Sequence, residues 1–120
     1  MPKIDLFKQS REFQPFAAGQ VIFKEGDPGD LMYVVQDGEI DLLLGDRVIE
    51  TLDAGDIFGE MAILDGKPRS ASARAKTDCR VVPINQKRFT MMLQNTPYFA
   101  VQVMQVMVDR LRRMDAMQSA

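Results

Sequence analysis

Eight glycines, at positions 19, 26, 29, 38, 45, 55, 59 and 66, divide much of this chain into short stretches, and several stand beside an aspartate. Glycine supplies the backbone freedom of a tight turn, and aspartate its local hydrogen bonds. Turn signals spaced roughly ten residues apart, with apolar stretches between them, specify an all-β sandwich or barrel. The stretches alternate as strands do. Leu31, Tyr33 and Val35 share one strand face, and Ile40, Leu42 and Leu44 share another. Leu44-Gly45-Asp46-Arg47 reads as a hairpin tip between residues 40–44 and 47–52, and Asp53-Ala54-Gly55-Asp56 as a further turn.

The β pattern runs from Phe13 to Ile84, and the period then becomes helical. Asn85 suits the N-cap of a helix over 86–94. Pro97 opens a second helix reaching about Met117. Before Phe13, residues Ile4, Leu6 and Phe7 can form one amphipathic turn. The expected fold is therefore mainly β: an eight-stranded antiparallel β-roll, jelly-roll-like, over 13–84. A short N-terminal helical segment (1–12) and two C-terminal α-helices (86–117) flank it. At 120 residues, 1–120 is expected to be one domain.

The second helix is apolar on more than one side, at Phe99, Val101, Val103, Met104, Val106, Met107 and Val108. The stripe then narrows to Leu111, Met114 and Met117 or Gln118. A helix of this kind must be covered on more than one face. The expectation is that it packs on the roll and also on a partner or a second copy. Arg110, Arg112 and Arg113 read as cations suited to the helix C-terminal dipole.

Composition removes several function classes. A net charge of −2 argues against a general nucleic-acid binder. The single cysteine, Cys79, excludes an internal disulfide and suits a reducing, cytoplasmic setting. No apolar run approaches a transmembrane span, and the N-terminus lacks a signal-peptide core, so no membrane partner is expected. With no histidine, a cupin-type metal site lacks its usual ligands and no nucleophile–histidine pair exists. Lys67 precedes Pro68 rather than Ser or Thr, so Gly66-Lys67 is not a P-loop. The Asp-Gly turns lack calcium-loop spacing. No catalytic residue, metal or cofactor is expected.

The segment from Phe58 to Ala71 carries the chemistry. It holds one carboxylate, Glu60, and one guanidinium, Arg69, nine positions apart among Gly and Pro. A helix start offers free N–H groups to an anion, and a guanidinium matches phosphate oxygens. A glutamate can accept from a sugar hydroxyl. Together they can hold a ribose joined to a phosphate.

This segment, Phe58-Gly59-Glu60-Met61-Ala62-Ile63-Leu64-Asp65-Gly66-Lys67-Pro68-Arg69-Ser70-Ala71, resembles the phosphate-binding cassette of cyclic nucleotide-binding domains, with Ile63 in place of the usual Leu. The resemblance extends through Val21–Asp30 and Met32–Ile40, and covers the chain from about Phe13 onward. It implies a β-roll receptor for a cyclic mononucleotide, cAMP first and cGMP as the other possibility. It also implies a ligand site at Phe58, Gly59, Glu60, Met61, Ala62, Arg69, Ser70, Ala71 and Ser72. In it Arg69 pairs with the cyclic phosphate and Glu60 accepts from the ribose 2′-hydroxyl. Gly59 admits close approach, and N–H groups near Ala62 and Ser70 complete the anion site. Val35, Leu44 and Met61 are candidate apolar walls. Ser70 does not choose the base.

The functional expectation is a stand-alone receptor that couples ligand binding to movement of its C-terminal helices, and so to a partner or to self-association. Few residues follow the long helix, which leaves no room for a winged helix-turn-helix. The alternatives are an interaction or scaffolding roll that binds no nucleotide, or the sensor fragment of a larger transcription regulator or channel. The intact Gly59, Glu60 and Arg69 set speaks against a scaffold.

Overall fold

The computed structural model describes residues 3–4 and 6–119, with side chains as far as Arg113. Its elements run β1 (Gln14–Phe16), β2 (Val21–Phe23), β3 (Leu31–Asp37), β4 (Ile40–Leu44), β5 (Arg47–Leu52), β6 (Ile57–Phe58), α1 (Glu60–Asp65), β7 (Ser72–Ala75), β8 (Cys79–Asn85), α2 (Gln86–Asn95) and α3 (Pro97–Ser119). The strands form two four-stranded antiparallel sheets, in the orders β1-β8-β3-β6 and β2-β7-β4-β5. The expected eight antiparallel strands are present, as two facing sheets rather than a closed barrel.

Two apolar layers hold the molecule together. Tyr33 and Val35 of β3 join Ile40, Leu42, Leu52, Phe58, Ala73 and Val81 in the core between the sheets. Met32 and Val34 point the other way, into a second core with Ile4, Phe7, Ile84, Phe89, Phe99, Val103 and Val106. The unbroken apolar run Met32-Tyr33-Val34-Val35 is what a strand buried on both faces requires. The alternation that marked Tyr33 and Val35 located one face; the helices cover the other.

The β4–β5 hairpin turns at Gly45 as its sequence predicts, but its ladder is irregular. Leu42 opposes Glu50 and Leu43 opposes Val48, which leaves Ile49 unpaired. This is a β-bulge, and it re-aims the side chains beside it.

The N-terminal segment differs from expectation. Among the described residues it forms a turn over Leu6–Gln9, not a helix. Its carbonyls are taken elsewhere: Gln36 Nε2 donates to Phe7 O at 3.0 Å and to Ser10 O at 2.8 Å. Ile4 N–H donates to Gly55 O at 2.7 Å, and Ile4 and Phe7 are buried while Leu6 is exposed. The segment is stapled to the roll before an i→i+4 ladder can start.

At the other end the capping signals hold. Asn85 Oδ1 accepts from Arg88 N–H at 2.8 Å, and α3 begins at Pro97. Phe99, Val103 and Val106 are buried, whereas Val101, Met104, Val108 and Leu111 are exposed. Met114, Met117 and Gln118, expected to continue the stripe, lie outside the described side chains. No described helix is long and apolar enough to cross a membrane.

The packing of α3 gives a stability prediction. Phe99 is 0% exposed and meets Phe89 edge-on, with ring centroids 5.9 Å apart. Phe99→Ala should cost about 3–5 kcal/mol in urea unfolding. Gln105→Ala, on the exposed side, should change stability by less than about 0.5 kcal/mol. Equal effects of the two would show that α3 is not anchored through Phe99.

Candidate functional site

Arg69 sits between α1 and β7, and the β2–β3 loop clasps its backbone. Its N–H donates to Asp27 O, and its carbonyl accepts from Gly26 N–H, both at 2.8 Å. The guanidinium turns inward. Nη1 donates to Gly59 O at 2.9 Å and Nη2 to Leu31 O at 2.7 Å. Its central carbon lies 4.1 Å from the centroid of the Phe23 ring, which packs in turn on Tyr33 and Phe58.

The residue is only 6% exposed, forms no ion pair among the described residues, and leaves Nε without a hydrogen-bond partner. Burial lowers the Arg69 pKa from its ordinary value, against the opposing influence of Tyr33, Asp30, Asp27 and Glu60. A buried guanidinium held by neutral acceptors and an aromatic face calls for an anion.

Two glycines make that position possible. A Cβ at Gly29 would lie 2.4 Å from Arg69 Nε, and one at Gly59 would lie 2.7 Å from Nη1. Gly59 also has φ 78°, in the left-handed region, as it swings the chain into α1. No side chain caps the start of α1.

Glu60 opens α1 and is 2% exposed. Arg110, reaching in from α3, donates through Nη1 to Glu60 Oε1 and through Nη2 to Ile57 O. Its Nε lies 3.3 Å from Glu50 Oε2, and Arg113 Nη1 lies 3.1 Å from Glu50 Oε1. Burial acts to lower the Arg110 pKa, but Glu60 and Glu50 outweigh it and raise the value on balance. The last described turns of α3 are thus tied by charge to α1 and β5.

These groups surround one cavity. Gly59, Glu60, Met61, Ala62, Arg69, Ser70 and Ala71 line it, together with Phe23, Leu42, Leu44, Ile49, Glu50, Arg110 and Arg113. Of the nine site residues expected from sequence, two do not line it. Phe58 is fully buried beneath, stacked on Tyr33. Ser72 is turned away, its Oγ accepting from Glu25 N–H at 2.9 Å. Ser70 and Ala71 form a bend ahead of β7, so strand alternation cannot place Ser70 and Ser72 on one face. Of the expected walls, Leu44 and Met61 line the cavity, but Val35 belongs to the core between the sheets. Ser70 Oγ lies 3.7 Å from Met61 Sδ.

Sequence reasoning missed Glu50, Arg110 and Arg113. The arginines looked like dipole partners, although their i,i+3 spacing also puts them on one helix face. In a regular β5, Ile49 and Glu50 would face opposite ways. The bulge at Ile49 brings both to the cavity.

The family model described as the cyclic nucleotide-binding domain matches residues 13–96. This chain belongs to the cyclic nucleotide-binding domain family. It is 42% identical over 80 residues to a cAMP-dependent protein kinase regulatory subunit of Emericella nidulans, a match covering 65% of this chain and 19% of that protein. Among solved structures it is similar to the Thermus thermophilus catabolite activator protein, with TM-score 0.82 and 30% identity, covering 96% of this chain and 56% of that one. It is also similar to a structure from a cyclic-GMP-dependent signalling pathway that regulates bacterial phytopathogenesis. There the TM-score is 0.78 and the identity 30%, covering 90% of this chain and 92% of that one. The chain therefore spans about a fifth of the kinase subunit's length and just over half of the activator's.

Proposed function

We propose that this chain is a receptor for a 3′,5′-cyclic mononucleotide and acts by binding rather than by catalysis. The observation that carries the reading is Arg69: a buried cation with no counter-ion among the described residues, on the wall of a cavity that also presents Glu60. A cyclic phosphate brings the single negative charge such a site requires, and its ribose brings a hydroxyl for Glu60. The kinase relative's dependence on cAMP supports cAMP as a ligand. The phosphate and ribose contacts serve any cyclic purine mononucleotide alike. The buried free thiol of Cys79 is consistent with a cytoplasmic setting.

Loss of one partner of a buried charge pair costs about 2–5 kcal/mol. Arg69→Ala should therefore weaken nucleotide binding by about thirtyfold or more in calorimetric titration. A folded Arg69→Ala protein with unchanged affinity would falsify the assignment.

Coupling runs, in this proposal, through Arg110. A ribose that engages Glu60 meets the guanidinium already bonded to it, so ligand and α3 share one carboxylate. A ligand shifts a conformational equilibrium only through its differential affinity for the two states, and this shared carboxylate supplies the difference. Nucleotide should alter amide hydrogen exchange along α3 in the wild type but not in Arg110→Ala. The same response in both proteins removes Arg110 from the coupling.

The output is assigned to self-association through α3. Val101, Met104, Val108 and Leu111 recur at 3-4-3 spacing and are 43–61% exposed, the arrangement of a coiled-coil seam. Leu111→Glu should shift the sedimenting species to monomer. A wild type that sediments as a monomer with and without nucleotide refutes the dimer.

A further inference from the structure

We infer that Glu50 reads the base of the bound nucleotide and gives this receptor a preference for guanine; the inference rests on the cyclic nucleotide reading above. Glu50 lines the cavity, and its side chain is 9% exposed. Its Oε1 accepts no hydrogen bond within the protein, although Arg113 Nη1 lies 3.1 Å away. A buried carboxylate oxygen that is ion-paired but accepts no hydrogen bond among the described residues, facing a ligand cavity, has acceptor capacity left for one.

The contacts place it at the base end. They run in sequence from Arg69 to Gly59 and Glu60, then through Arg110 to Glu50. In a 3′,5′-cyclic nucleotide the phosphate is fused to one side of the ribose, and the base leaves from C1′ on the other. With the phosphate at Arg69 and the sugar at Glu60, the base projects toward β5. Leu42, Leu44 and Ile49 offer apolar surface to its faces, and Glu50 meets its edge.

The choice of base follows from donor count. An ionised carboxylate only accepts hydrogen bonds. Guanine presents two adjacent donors, N1–H and the 2-amino group, which match both oxygens. Adenine presents one amino donor beside N1, an acceptor that a carboxylate repels. Arg113 alongside can donate to guanine O6, as guanidinium groups commonly do. Glu50 faces the cavity beside its ladder partner Leu42, and the bulge brings its neighbour Ile49 to the same side.

The test uses three ligands and two proteins. cGMP, cAMP and cyclic inosine monophosphate, which keeps N1–H but lacks the 2-amino group, are titrated into wild type and Glu50→Gln. A bidentate base contact is worth about 1–3 kcal/mol. The wild type should therefore bind cGMP about tenfold more tightly than cAMP, and several-fold more tightly than the inosine analogue. Glu50→Gln should collapse both ratios. A purely structural role for Glu50 would weaken all three ligands together and leave the ratios intact, which overturns the inference but not the phosphate site. Equal wild-type affinity for cGMP and the inosine analogue overturns it without reference to any variant. If none of the three binds, the receptor reading falls as well.

Discussion

A buried positive charge with no ion-pair partner among the described residues sets the terms for the rest of this structure. Removing a guanidinium from water is costly unless its donors are met and its charge is balanced. Arg69 meets the first requirement with two backbone carbonyls, Gly59 O and Leu31 O, and with the face of Phe23. Each of those partners constrains another part of the chain. Gly59 and Gly29 must lack a Cβ, the β2–β3 loop must pair with the Arg69 backbone, and Phe23 must stack on Tyr33. No ion pair among the described residues balances the charge. A charge fixed in this way by a scaffold favours, on the proposed reading, an anion over a neutral molecule of similar shape.

Arg110 shows the opposite arrangement a short distance away. It faces two carboxylates, Glu60 and Glu50, and a backbone carbonyl. A paired charge of this kind loses little when one partner is exchanged for another hydrogen-bonding group, so it is suited to change hands. Arg69 is held by contacts to Gly59, Leu31 and the β2–β3 loop, whereas Arg110 rides on α3. The start of that helix is fixed by Phe99, Val103 and Val106, while its later turns are held chiefly through charge. A helix anchored by apolar contacts at one end and by exchangeable ion pairs at the other can pivot about the anchored end.

Much of this was legible from residues alone. Glycine spacing located the turns, alternation in β3 and β4 located the core between the sheets, and Asn85 and Pro97 marked the starts of α2 and α3. Glu60 and Arg69 were found because the segment joining them is local, so their approach depends on short-range geometry. What escaped has a common cause. The Arg110–Glu60 and Arg113–Glu50 pairs join residues far apart in sequence, and no spacing rule connects them. Ser72 and Val35 were expected at the site from the resemblance, but the bend at Ser70 and Ala71 turns Ser72 away and the face of β3 that carries Val35 is filled by the opposite sheet. The N-terminal turn had the right apolar residues, but its carbonyls belong to Gln36, a partner that sequence proximity does not reveal.

The irregular pairing of β5 carries a consequence for how such a receptor can diversify. The groups proposed to face phosphate and sugar lie within one short stretch, residues 59–71. Glu50 lies in a different strand, β5, opposite Leu42 and next to the unpaired Ile49. A one-residue deletion that restored a regular ladder would take Ile49 out of the cavity wall and leave Arg69 and its glycines untouched. On the proposed reading, the signal such a receptor answers to and the strength with which it holds the shared phosphate are encoded in separate, independently mutable pieces of chain.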